Sequence, residues 1–416
     1  MLTRSLGQGR RRLPLQVCFL SFGAVPLGLL LPAGASRRLS EDSARKLSHM
    51  QDAVGASYQF VDAALVDDLS AEALQWQGQR TAQQVIEERE AFTCALERAG
   101  AAMWASGVAG DWYAQADPCV QRVSEGVNGL LLQHLATITR FGDSECVQFF
   151  RKGAPFVGEL PACGIGPPVA AQASRPVAEL RHRCYDNNVA LLSSLREDSS
   201  SRALFDAVHA DAQLGRMSEA VPIEEVCLHS VRLAPRFAVL KAKESGEVSV
   251  RPIDNFSWSE LGCLEQGGRS RQRAVAKRGS VNGYSSACEQ VRHDHLDKLL
   301  AMLHEARLVT GVVFALFKAD IDAAFRRIPI APGDWWAAWI VFLFQGQAWA
   351  AAHKCCPFGA LSAVFAWERV GALLVHIVRK CLKLAVCRYV DDFFGCERCV
   401  DHSFSLRGRN PCSLQA

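Results

Sequence analysis

The segment Phe317-Lys318-Ala319-Asp320-Ile321-Asp322-Ala323-Ala324-Phe325-Arg326-Arg327-Ile328-Pro329-Ile330 turns an apolar strand into an acidic corner within a few residues. The run 312–319 reads as a buried-type strand. Asp320 and Asp322 end it, and residues 323–328 have the spacing of a short helix. A second break of this kind lies at Tyr389-Val390-Asp391-Asp392, where paired acids separate two β-prone runs. Two carboxylates about 4 Å apart repel by about 4 kcal/mol at an effective dielectric of about 20. They raise each other's pKa unless a cation is present. Hard oxygen ligands of this type suit Mg2+. Each pair also has a plainer explanation: an Asp-Asp pair between strands is commonly a solvated turn tip, and Asp320 or Asp322 would serve as an N-cap for the helix that follows.

Outward from these acids the pattern is that of an α+β layer. Residues 236–242 and 248–256 are β-prone and meet at the hairpin turn Glu244-Ser245-Gly246-Glu247. A basic, Gly-containing stretch follows, with Arg269, Arg271, Arg273, Lys277 and Arg278, and then a helix over 287–307. Residues 340–344 and 348–353 form a hairpin across Gln345-Gly346. Residues 361–382 form a strongly apolar helix, and 384–395 a last strand pair turning at Asp391-Asp392. The order β-β-α-β-α-β-β-α-β-β predicts one mixed sheet with helices on one face.

The first segment resembles the first palm motif of reverse transcriptases. Pro357-Phe358-Gly359-Ala360, leading into an apolar helix with Ala363 and Phe365, is similar to the second, and Tyr389-Val390-Asp391-Asp392 to the heart of the third. Val250-Arg251-Pro252-Ile253-Asp254-Asn255-Phe256-Ser257 resembles the fingers strand that meets the incoming triphosphate. The four stand in the family's order over residues 221–395, and Phe358 gives them a retrotransposon flavour. The resemblance implies the fingers and palm of a right-hand polymerase acting as an RNA-directed DNA polymerase, a nucleotidyltransferase. Its partners would be an RNA template, a DNA primer and a dNTP.

What the resemblance implies for the site follows residue by residue. Asp320 and Asp391 would hold two Mg2+ ions roughly 3.5–4 Å apart, Mn2+ being an alternative, with Asp392 assisting and the Ile321 carbonyl as an extra ligand. Phe325 would lie beneath the sugar and exclude a 2′-hydroxyl, unless it is a core residue of its helix. The N–H groups of Ala323 and Ala324 would meet triphosphate oxygens. Arg251 would grip the same phosphates, with Lys241 and Lys243 as further candidates. Phe358 and Gly359 would floor the templating pair, glycine allowing close backbone approach, and Tyr389 would support the primer terminus. The basic group 269–278 is either a template-phosphate contact or a solvated loop. Two other readings stay open: a non-catalytic nucleic-acid-binding remnant, and an RNA-templated RNA polymerase, which Phe325 and the Tyr-Val before the paired acids disfavour.

The rest of the chain is less informative. At 416 residues with 49% hydrophobic and 21% charged residues, wholesale disorder is excluded. The net charge of +3 does not by itself point to nucleic acid. Residues 1–39 look like a leader or a gene-model artefact, with Arg4 and Arg10 to Arg12 ahead of an apolar run and Ala33-Gly34-Ala35. Pro14, Gln16, Pro26 and Pro32 break that run. No other segment reads as a membrane span, so no stable membrane association is expected. A leader would mean secretory or organelle targeting; the polymerase reading would mean nucleus or cytoplasm. Residues 40–107 read as helical, and 108–220 as a linker with helical pieces at 176–195 and 200–214. The 16 scattered cysteines suggest a reducing compartment. Cys396, Cys399 and His402 have metal-like spacing without a second pair to complete a set. Only 24 residues follow Asp392, and 396–416 form a polar tail, so the resemblance implies a truncated enzyme with its thumb absent.

Overall fold

The computed structural model describes residues 17–18, 65–169, 175–197, 199–242, 248–309 and 314–398. The chain is a mixed α+β protein that divides into two compact units. One comprises Met1–Arg89, Asp294–Asp322 and Val378–Ala416, and is called here the carboxylate unit. The other, the ribbon unit, comprises Glu90–His293 and Ala323–Ile377.

The carboxylate unit is built on an antiparallel sheet. Its strands lie in the order Val17–Cys18, Phe314–Asp320, Asp392–Arg398, Ala385–Tyr389. Side chains alternate across the pleat, which puts Phe314, Leu316, Phe394, Cys396, Ala385 and Cys387 on one face. The helices Asp68–Gly78 and Leu296–Leu308 cover that face through Leu74, Met302 and Ala306. Asp67 caps the first helix by accepting from the Ser70 N–H at 2.9 Å. Buried Gln77 ties the same helix to the sheet. Its amide donates to the Lys383 carbonyl at 2.8 Å, and its oxygen accepts the Arg398 N–H at 2.9 Å.

The ribbon unit carries a five-stranded mixed sheet in the order Val221–Pro222, Gln347–Ala352, Trp339–Phe344, Leu233–Ala242, Val248–Asp254. Leu233–Pro235 pairs parallel with Trp339–Val341, and Arg236–Ala242 continues as an antiparallel ribbon with Val248–Asp254. Gln345 and Gly346 both take positive φ, 54° and 73°, as a two-residue primed hairpin turn requires. The helix Cys184–Ser194 packs on this sheet, and Leu191, Val231, Leu233, Val341 and Ala350 form the core there.

Several expectations are corrected. The strands form two principal sheets rather than one: Phe314–Asp320 pairs with the hairpin 385–398, and the ribbon pairs with Trp339–Ala352. Within residues 108–175 stand the helices Val108–Tyr113, Pro118–Val123 and Gly129–Ile138, with Phe149, Phe150 and Phe156 buried, so this region is packed core and not linker. Pro118 and Asn128 mark helix starts here. Pro118 follows the cap Asp117, and the Asn128 side chain accepts the Leu131 N–H. The helix expected over 287–307 is Leu296–Leu308, because Ser285–Ala287 is instead a strand paired in parallel with Gly158–Leu160. The basic stretch is a helix, Arg269–Gly279, not a loop. Finally, Leu361–Cys381 is long and apolar enough to cross a membrane by length and composition, contrary to expectation. Most of its apolar window is buried within the protein, and a core helix passes the same test of length and composition.

The turn at 243–247, including Lys243, lies outside the described residues, as do the leader apart from Val17–Cys18 and the residues Cys399 and His402. Cys396 is fully buried in the sheet core, where it packs as a small apolar side chain. The cysteines from Cys94 to Cys396 are free thiols.

Candidate active site

The acids meet because of strand register. Asp320 stands directly opposite Asp392, and the Ile321 N–H donates to the Asp391 carbonyl at 3.4 Å. Tyr389 pairs with Asp392, so Val390 and Asp391 are the two turn residues, not Asp391 and Asp392 as expected. Val390 has φ 57°, a left-handed conformation that costs a β-branched residue on the order of 1–2 kcal/mol. The Arg388 guanidinium, buried, donates to the Val390 carbonyl at 2.9 Å and helps hold the turn. Backbone strain of this kind persists where the surroundings over-determine it, and it concentrates at functional sites.

Lys318, Asp320 and Asp392 share one face of the sheet, since Lys318 is opposite Phe394 and Asp320 opposite Asp392. The Lys318 ammonium lies 2.9 Å from an Asp392 carboxylate oxygen, with 54% and 38% of the two side chains exposed. Burial and then the neighbouring charges of Asp391 and Asp392 raise the Asp320 pKa, with Lys318 opposing them and Asp322 adding a further push upward. Tyr389, half exposed, lines a cleft of about 450 Å³ on the same face with Leu296, Leu316, Lys318 and Phe394. Neither Asp320 nor Asp322 is the N-cap of the turn that follows; Ala323 is.

This donor set suits a hard divalent cation, and a lysine ammonium already stands among the acids as a cation. Among the described residues, no group of three or more His, Cys, Asp or Glu side chains is gathered closely enough to hold a metal ion. The acids form an open corner, not a finished cage.

The residues expected at the nucleotide form a separate group within the ribbon unit. Phe325 is buried and packs against Phe358 at 5.0 Å between ring centroids and against Trp367 at 6.0 Å. Phe358 is half exposed, so the pair makes an aromatic floor with Phe358 as its open part. Gly359 has φ 95°, and a Cβ there would lie 2.3 Å from the Asp254 carbonyl oxygen, so the position demands glycine. Ala323 is left-handed, with φ 52°. Residues 324–327 form one 3₁₀ turn rather than the expected helix, which leaves little dipole behind the N–H groups of Ala323 and Ala324. Arg251, opposite Val239, and Lys241 are exposed on the ribbon. Arg269, Arg271, Arg273, Lys277 and Arg278 are all exposed on their helix, and Arg271 pairs with Glu265 at 3.1 Å.

Two arrangements were not anticipated from sequence. Asn282 clamps the Phe358-Gly359 turn: its amide donates to the Gly359 carbonyl at 2.8 Å and to Ser257 Oγ at 2.9 Å, and its oxygen accepts the Leu361 N–H at 2.8 Å. No local signal marks a partner 77 positions away in the chain. The other arrangement is a buried ion cluster. Asp254, at the end of Val248–Asp254, receives two bonds from Arg236 at 2.7 and 2.9 Å and one from His353 Nε2 at 2.9 Å. Arg326, from the first motif, lies 2.7 Å from Asp211. Burial alone would raise the Asp254 pKa, but Arg236 and His353 hold it well below the usual carboxylate range. Burial dominates at His353 and lowers its pKa to about 4, against the pull of Asp254, so the ring is neutral at pH 7.

No family model matches the chain, and no curated protein is significantly similar to it.

Proposed function

We propose that the chain is the fingers and palm of a retrotransposon-type RNA-directed DNA polymerase. The observation that carries this reading is the acid corner: Asp320 and Asp392 in register across two strands, with Asp391 beside them in a strained turn. A solvated turn tip would have no need of a left-handed valine, and its acids would gain by standing apart. Asp320 and Asp391 would hold two Mg2+ or Mn2+ ions, Asp392 and the Ile321 carbonyl assisting. When bound, these ions would acidify the primer 3′-hydroxyl and neutralise the triphosphate. Tyr389 would bear on the primer terminus. Phe358, backed by Phe325 and fixed by Asn282, would present a flat apolar surface to a base or sugar. Arg251 would meet phosphate oxygens of the dNTP.

A second reading, a nucleic-acid-binding remnant without turnover, is favoured by two observations: Asp392 is engaged by Lys318, and among the described residues no three-ligand group is assembled. Primer extension on an RNA template with Mg2+ and either dNTPs or rNTPs tests both. Extension with dNTPs is expected, and Asp391→Asn should reduce it by about 10²-fold or more. Template binding without extension in either nucleotide set would leave the remnant reading. Unchanged extension in Asp391→Asn would refute the assignment of the site.

A further inference from the structure

We propose that the helix Arg269–Gly279 is a docking surface for the phosphodiester backbone of a single nucleic-acid strand, with Arg269, Arg273 and Lys277 as a row of phosphate contacts. The inference goes beyond the polymerase reading. It stands on the charge and geometry of the ribbon unit and needs neither the acid corner nor turnover.

The helix is held to the protein along one side. Gln272, Val275 and Ala276 are half-buried there, and Gly279 is buried. The Gln272 amide donates to the Glu265 carbonyl at 3.1 Å, and the Ser259 hydroxyl to the Ala276 carbonyl at 2.7 Å. Arg232, buried against Glu260, donates to the Gly279 carbonyl at 2.8 Å. These bonds satisfy carbonyls of the last turn, which no intrahelical N–H reaches. The five cations project from the open side, with only Ser270 and Ala274 exposed between them. Positions 269, 273 and 277 are four apart, so they form one row with steps of about 6 Å along the axis. That step is comparable with the separation of successive phosphates along one strand.

The row works against the helix that bears it. Like charges four residues apart destabilise a helix. Arg269 and Arg271 oppose the macrodipole at its start, and the first turn holds no acid to relieve them. Among the described residues, Arg271 alone of the five has a carboxylate partner, Glu265. A polyanion supplies the missing counter-charge, and the face selects its kind. Protein interfaces have an apolar core and membrane-surface helices an apolar face; this side of the helix has neither. Guanidinium groups suit phosphate oxygens. With no aromatic side chain on the face to stack on bases, binding is independent of base sequence and sensitive to salt.

Fluorescence anisotropy of the whole chain with labelled oligouridylate or oligothymidylate, in EDTA and without nucleotide, tests this across about 50 to 200 mM salt. Both strands should bind alike. The triple variant Arg269→Gln, Arg273→Gln, Lys277→Gln should lower the slope of log affinity against log salt by about 2, at about 0.7 for each single-strand phosphate. Contacts of this kind fade towards about 1 M salt, so the loss at about 50 mM should be about 10²-fold or more. Arg269→Lys with Arg273→Lys should keep the slope. Arg98→Gln, Arg122→Gln, Arg202→Gln removes the same charge from exposed positions elsewhere in the ribbon unit and should bind as the unaltered chain does. Circular dichroism reports whether each variant is folded. An equal loss in that control, an unchanged slope in the helix variant, or displacement by polyglutamate as effective as by polyuridylate would overturn the inference. Salt-sensitive binding through the helix in a chain that extends no primer would uphold it while the polymerase reading fails. Primer extension with unchanged strand binding in the helix variant would do the reverse.

Discussion

Two charged clusters in this molecule follow opposite physical rules. In the ribbon unit, Asp254 is fully enclosed and matched by Arg236 and His353, so that burial cost is offset by close, well-aligned partners. In the carboxylate unit, Asp320, Asp391 and Asp392 crowd one sheet corner with Lys318 against them, in the open, beside a left-handed valine. In the first cluster the buried carboxylate is matched by close partners that offset its burial. The second is incomplete: its acids are held together by strand register despite their repulsion. A cluster that the fold maintains against its own electrostatics is the better candidate for chemistry.

The largest expected effect bears on that contrast directly. Asp254→Asn leaves the buried Arg236 guanidinium without its counter-charge and should cost about 3–5 kcal/mol in urea unfolding. Asp392→Asn, which loses only an exposed pair, should cost no more than about 1 kcal/mol. Similar losses for the two variants would break the distinction between a paired and an uncompensated cluster.

Acid sensitivity should come next. His353 takes a proton at about 4 in the fold and at 6.5 in its ordinary state. Between those values the unfolded chain binds a proton that the native chain refuses. Stability is therefore fully present above pH 6.5 and falls as the pH drops towards 4, by about 3 kcal/mol at about 1.4 kcal/mol for each pH unit of the window. Asp254, whose pKa is also lowered, adds to the loss further down. Unfolding midpoints from pH 7 to 4 should show this decline, and a flat profile would remove His353 as its source.

The smallest effect sharpens the account of the acid corner. Val390→Gly relieves a left-handed valine but loses about 0.5–1 kcal/mol to chain entropy, so a net gain of no more than about 1.5 kcal/mol is expected. Thermal unfolding should show that gain while primer extension declines, because the turn that presents Asp391 becomes freer. A variant that is less stable would mean that the turn is not strained.

Much of this was legible in the residues, for reasons that can be named. The hairpin at Gln345-Gly346 was readable because a two-residue turn between apolar runs admits few conformations. The strand before Asp320 and the hairpin carrying Asp391 and Asp392 were visible because alternation and composition are local. Residues 108–175 misled because Pro118 and Asn128 start helices as readily as they end them, and only burial of Phe149, Phe150 and Phe156 distinguishes the cases. Lys318 lay within the first quoted segment, and its spacing from Asp320 already put both on one face. Its partner could not be known before the strand register.

The sequence by itself determined the acids, the short apolar strands that carry them and the glycine at 359, because these depend on residue type and on neighbours along the chain. Tertiary structure alone decided that Asp320 faces Asp392, that Lys318 reaches Asp392, that the strands divide between two sheets, and that Asp254 closes on Arg236 and His353. The physical reason is that strand pairing and the burial of charge are long-range choices. Their energies depend on which segments meet, and nothing in a segment specifies its partner.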